Sequence, residues 1–187
     1  MALDSSNVRV AVTGAVMVGP TTAPAPTDAD TPPTGFDDLG YVSEDGVTET
    51  RERSSEQIRA WQHADVLREV VTEASVTYTF RMVETKAETI SLYYGSDVDP
   101  LDGSVAIVPA RTGGRKSFII DVIDGTDFIR TYIPNGEVTE VGDQVYASGE
   151  AVGYEVTITA YPSNSILTDD GQPASVKKFY SSQVGSS

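Results

Sequence analysis

The sequence predicts a mainly β fold, a sandwich or barrel of about eight to ten strands with one flanking helix. Three observations carry that expectation. Apolar residues recur at period two through most of the chain. A helical pattern occurs once, near residues 85–95. Gly, Pro and Asn-Gly signals separate one alternating run from the next, with no strand–helix–strand rhythm.

Residues 8–18 open the pattern, with Val8, Val10, Val12, Val16 and Val18 on one face of an expected strand. Residues 19–40 differ in kind. Pro20, Pro24, Pro26, Pro32 and Pro33 remove donors and fix φ, so neither a ladder nor a helix is expected there. The segment reads as a long acidic loop, extended and suited to be an assembly arm. At its end Phe36, Leu39 and Tyr41 are expected to dock, either on the parent domain or on a neighbour.

Residues 43–53, after an Asp45-Gly46 turn, read as a polar exposed strand. Strands are expected at 58–62 and 66–71, joined by a turn at His63-Ala64-Asp65. Residues 75–84 alternate clearly, with Val76, Tyr78, Phe80 and Met82 on the buried side. The helix follows. Thr85-Lys86-Ala87-Glu88 has the spacing of a capping box, Ala87, Ile90 and Tyr94 share a face, and Gly95 stands where a left-handed cap belongs. Further strands are expected at 105–110, 116–123, 128–133 and 151–161. Gly113-Gly114, Asp124-Gly125 and Pro134-Asn135-Gly136 mark turns among them. Residues 162–187 form a polar C-terminal arm, anchored by Val176, Phe179 and Tyr180. One domain over 1–187 accounts for all of this.

Composition narrows the function. There is no cysteine, which excludes disulfides, thiolate metal sites and cysteine nucleophiles. No apolar run approaches the ~20 residues that cross a bilayer, and the start lacks the pattern of a signal peptide. The chain therefore reads as soluble and made in the cytoplasm. The net charge of −15 opposes binding to nucleic acid through phosphate neutralisation. Residues 28–56 carry nine acids against two bases, which is about half of that charge. Asp37, Asp38, Glu44, Asp45 and Glu49 are the candidate acidic surface. Acidity that serves only solubility is the simpler explanation.

Catalytic signals are weak. His63, the only histidine, stands near Asp65, but no Gly-x-Ser-x-Gly elbow accompanies the pair. Asp97-Val98-Asp99-Pro100-Leu101-Asp102-Gly103 departs from the calcium-loop order, with its third acid and Gly one place late. Thr112-Gly113-Gly114-Arg115-Lys116-Ser117 lacks Gly before Lys and runs into a strand, so a basic hairpin turn explains it better than a phosphate loop. No enzyme, cofactor or metal is expected. Trp61, the sole tryptophan, reads first as core and second as an interface anchor.

Several segments together resemble the major tail proteins of siphophages that infect actinobacteria. They are Gly35-Phe36-Asp37-Asp38-Leu39-Gly40-Tyr41-Val42-Ser43-Glu44-Asp45-Gly46-Val47, then Ile58-Arg59-Ala60-Trp61-Gln62, then the run to Val83-Glu84-Thr85, and the helix ending Leu92-Tyr93-Tyr94-Gly95. The likeness spans roughly residues 8–160. It implies a tail-tube fold of two packed sheets, six copies closing into a ring, and rings stacking around a tape-measure protein. It also implies tail-tip or baseplate and terminator partners, a place in the virion tail, and DNA passing through the lumen without specific binding. Phe36, Leu39, Tyr41, Trp61, Phe179 and Tyr180 become candidate inter-subunit contacts under that likeness. A secreted or surface β-sandwich module for adhesion or carbohydrate binding is the alternative.

Overall fold

The computed structural model describes residues 8–59, 61 and 66–181. In chain order it contains β1 (Thr13–Gly19), β2 (Asp37–Asp38), β3 (Val42–Arg59), β4 (Val66–Met82), α1 (Ala87–Tyr94), β5 (Lys116–Asp124), β6 (Asp127–Val141), β7 (Tyr154–Ala160), β8 (Ser163–Leu167), β9 (Pro173–Ala174) and β10 (Lys177–Tyr180). The mainly β expectation with one helix holds. All strand pairs are antiparallel.

The main sheet has the order β2-β1-β5-β6-β7-β4-β3, with β10 paired to β6 off that path. β6 organises it. Along one edge β6 holds β5, from Asp127 to Gly136. Along the other edge it holds β10 at residues 129–132 and then β7 at residues 136–141. The sheet therefore bends at β6 into two halves. One is β2-β1-β5-β6-β10, and the other is β6-β7-β4-β3. A single buried cluster joins Val16 and Val18 of β1, Phe118 and Ile120 of β5, Tyr78, Phe80 and Met82 of β4, and Val156 and Ile158 of β7. Residues of both halves meet there, so the halves face each other as a sandwich.

Pro134-Asn135-Gly136 is the bend and not a turn: β6 runs straight through it. The register slips between Lys116 and Phe118 opposite it, which lets proline lie in a strand without breaking a ladder bond. Ser117 Oγ donates to the Pro134 carbonyl at 2.8 Å, and Tyr161 N donates to the Asn135 carbonyl at 2.9 Å. Gly136 is required there. A Cβ would stand 2.8 Å from the Phe118 ring and 3.0 Å from Ile158.

Several expected elements change. The strand at 8–18 is regular only from Thr13, although Val10 N and Val12 N still bond to Asp124 Oδ2 and the Ile123 carbonyl. The runs at 66–71 and 75–84 are one strand, because a bulge at Thr72 carries the ladder across. Asp45-Gly46 is a bulge inside β3, with Gly46 at φ +67°, and not a turn before it. Residues 105–110 form no strand and are mostly exposed; Val105 and Ile107 alternate, but Pro109 stands at the next position of that face and has no N–H to donate to a ladder. The expected turn at 63–65 lies outside the described residues. In the helix, Thr85 does not cap. Lys86 is the N-cap without a side-chain bond, and Thr85 Oγ1 lies 3.2 Å from Tyr154 Oη instead. The buried stripe is Thr89 and Leu92, while Ala87 is exposed. Gly95 does take the left-handed cap, at φ +64°.

Candidate assembly surfaces

The Pro-rich loop closes on its own subunit. Arg130 and Asp121 are cross-strand partners on β6 and β5, and their side chains are 4% and 8% exposed. Arg130 Nε donates to Asp121 Oδ1 at 2.8 Å and Nη2 donates to Oδ2 at 2.7 Å, a two-pronged pair. The third prong, Nη1, donates to the carbonyls of Asp28 and Thr31 in the loop. The Asp28 carboxylate tightens that turn by accepting from the backbone of Asp30 and Thr31 and from the hydroxyls of Thr27 and Thr31. These bonds, the Thr31 amide first, hold its pKa below the ordinary aspartate value. The Asp121 pair, foremost, raises Arg130 further. Ala29 is buried under the loop, and Leu39 N bonds to the Val16 carbonyl.

Six residues were candidates for contacts between subunits, and the structure separates them. Leu39 is wholly buried in the main core and has no surface to offer a neighbour. Phe36 packs on Tyr132, edge to face with ring centres 6.5 Å apart, in a second cluster with Ile119 and Ile166. Phe179 joins that cluster too. Tyr41, Tyr180 and Trp61 remain exposed, Trp61 to 98%. The reading of Trp61 as core is thus overturned: it stands on the turn that ends the hairpin, away from both clusters.

The candidate acids do not converge either. Asp37 and Asp38 lie on the short edge strand β2, and Glu44 and Asp45 at the β3 bulge. Glu49 faces inward beside Tyr78, its register partner, and forms an ion pair with Lys178 of β10. Burial pushes the Glu49 pKa up, but the Lys178 bond and charge, with Arg51, outweigh it and leave it lowered. Burial first, then the Glu49 charge, raises Tyr78. His63 and Asp65 lie outside the described residues. In the loop after the helix, Asp99 and Asp102 accept from the amides of Leu101 and Ser104, so they shape a turn. Among the described residues no group of three or more acids and histidines is placed to hold a metal ion. Arg115 of the glycine turn pairs with Glu137 at 2.9 Å and lies over the Tyr161 ring.

Two features escaped the sequence reading. The first is a projection. β4 pairs with β7 only from Val76 to Met82, so Val66–Ser75 and the facing half of β3 leave the body as a two-stranded ribbon. From Arg51 to Arg59 it extends about 27 Å at ~3.4 Å per residue. Ile58, Leu67, Val70 and Val71 are exposed along it, on both of its faces. The second is a hydroxyl-covered surface. The outward side of β3, β4, β7 and β6 carries Thr48, Thr50, Thr77, Thr79, Thr157, Thr159 and Thr139. Thr79 and Thr157 hydroxyls lie 2.9 Å apart, and those of Thr139 and Thr159 2.8 Å. Alternating threonines in three segments, with Thr139 in a fourth, were the signal, and register brings them together.

The sequence matches the family described as phage tail tube protein over residues 1–169. The chain belongs to the phage tail tube protein family. Such a protein is a structural component of the virion. Among solved structures, the sheath–tube complex of an extracellular contractile injection system in its extended state is similar. It is 12% identical, with 95% of this chain and 98% of that one covered, at a TM-score of 0.51. The sheath/tube terminator of that kind of system matches at 13% identity, with 84% and 96% covered and a TM-score of 0.47. The first shares the fold of this tail tube protein. No curated protein matches the sequence.

Proposed function

We propose that this tail tube protein closes into hexameric rings that stack into the hollow tube of a long non-contractile phage tail, through which DNA reaches the host. The projecting hairpin carries this reading. A lone two-stranded ribbon is marginal in water, and this one exposes apolar side chains on both faces. It is a part built for burial by other copies.

The half-sheet β6-β7-β4-β3 supplies the means of closure. Past Gly136 the edge of β6 that held β5 is free, and β3 is free along its outer edge. Two different free edges allow head-to-tail pairing, the interface type that generates rings and removes aggregation-prone edges. The threonine side of the same half then faces the lumen. Among its charges, Glu137 pairs with Arg115 and Glu155 stands opposite Arg81, while Glu140 beside Thr157 adds a negative charge. Hydroxyls hydrogen-bond equally well to water and present no cations to phosphate, so DNA slides past without adhering. A tape-measure protein occupies this lumen before DNA does, and terminator and tail-tip proteins meet the two end rings.

Negative-stain electron microscopy with light scattering on the purified chain tests the proposal. Six-fold rings or long hollow tubes are expected at high concentration or on addition of an initiator complex. A particle that stays monomeric under both conditions overturns it.

A further inference from the structure

The hairpin has a root as well as a tip, and the root borders a groove. The groove, about 600 Å³, lies where the ribbon leaves the body and is lined by Arg51, Arg53, Ala74, Val76, Tyr161 and Pro162 among others. It is an open end of the core. Val76 packs against the main cluster, and Ala160 beside it belongs to that cluster. Arg51 and Arg53 bring two guanidinium groups to its lining, and Glu52 one carboxylate. The other end of the ribbon carries Trp61, the only tryptophan and the most exposed large apolar residue described.

We propose that Trp61 of one copy seats in the root groove of a second copy. This rests on the self-assembly reading and names the contact that joins successive subunits. Three points support it. First, the tip cannot reach its own groove: a paired ribbon about 27 Å long separates them. The occupant must come from another molecule. Second, the chemistry matches. Tryptophan buries roughly 150–250 Å² and its ring face attracts guanidinium groups, and Arg51 is exposed enough to turn onto it. Third, knob and hole sit at opposite ends of one hairpin. A contact of that kind is head-to-tail and leaves an unused knob and an unused hole after every addition, so it propagates.

The sole tryptophan reports on its own contact. In the free subunit Trp61 is expected to emit as water-exposed indole and to be quenched freely by acrylamide. On assembly the emission should shift to the blue and quenching should fall several-fold. Trp61→Ala should raise the concentration needed for assembly about thirtyfold or more, the loss expected of a hot-spot anchor. Ala74 is exposed in the groove, so Ala74→Leu should fill the hole, leave the circular dichroism and unfolding curve of the subunit unchanged, and block assembly equally. Mixing the two variants gives the sharper readout. Trp61→Ala has no tryptophan but an intact groove, and Ala74→Leu has the reverse. The mixture should therefore show the blue shift without tubes. Wild-type tubes whose Trp61 stays freely quenchable, or a mixture with no shift, overturn the contact and leave the tube reading standing. A wild-type chain that forms neither rings nor tubes overturns both.

Discussion

β5 and the outer half of the β3–β4 hairpin both carry apolar side chains on two faces, yet one is buried and the other bare. Phe118 and Ile120 of β5 enter the main core, while Ile119 enters the second cluster with Tyr132, Ile166 and Phe36. Leu67 and Val71 lie on one face of the ribbon, Ile58 and Val70 on the other, and all four are exposed. A strand apolar on both sides is ordinarily one with both sides covered. β5 obtains its covers from the same chain, namely the opposite half-sheet, the Pro-rich loop and β8. In the proposed tube the covers of the ribbon are other copies. On that proposal the same sequence signal means fold in one place and assembly in the other.

The largest test of this contrast strikes the body. Arg130→Ala removes the cation that neutralises buried Asp121 and holds the loop carbonyls. Breaking a buried pair in this way costs about 3–5 kcal/mol, read as a lowered urea midpoint. A loss below about 1 kcal/mol would mean that the loop is an arm resting loosely on the subunit, as its proline content suggested. Gly136→Ala probes the bend. The new methyl would press on Phe118 and Ile158, both fully buried, for about 1–3 kcal/mol. A neutral result would show that the two half-sheets can part without penalty.

The outer hairpin should respond in the opposite sense. Leu67→Ser with Val71→Ser is expected to leave subunit stability within about 0.5 kcal/mol, as for other exposed positions, and to abolish rings and tubes by electron microscopy. If the subunit loses several kcal/mol instead, the ribbon is folded onto its own body in solution.

How much of this was legible depended on whether the signal was local. Alternation placed β7 and the inner half of β4 correctly, because Tyr154, Val156 and Ile158 and Tyr78, Phe80 and Met82 each have one buried side. The left-handed Gly95 was legible for the same reason. The capping box was not, because Tyr154 on a distant strand competes for the Thr85 hydroxyl. Pro134-Asn135-Gly136 carries turn chemistry but lies in a strand, since one extra residue on β6 opposite Lys116–Phe118 accommodates it as a bulge. Prolines at 20–33 suggested an arm. The partner that folds the loop back, Arg130, is about a hundred residues away and leaves no mark near the loop. The five candidate acids are neighbours in sequence, but the fold puts Asp37 and Asp38 on β2, Glu44 and Asp45 at the β3 bulge, and Glu49 beside Tyr78.

The smallest expected effect links the tail to the hairpin root through pH. Glu49 and Lys178 join β3 to β10, and each side chain is about one-quarter exposed. The folded-state pKa of Glu49 is lowered, chiefly by Lys178 working against burial. Its contribution is therefore fully present above the unfolded glutamate value of about 4.3 and is lost as pH falls through the lower folded value. Lys178→Met removes that dependence. The stability difference between wild type and variant should be no more than about 1 kcal/mol near neutrality. It should shrink as pH is taken from about 5 to about 3, while the other carboxylates titrate alike in both proteins and cancel. A difference that stays constant across that range would mean that Lys178 holds β10 by packing its methylene stem and not by its charge. The C-terminal strand would then stay closed over the root at any pH the tail meets.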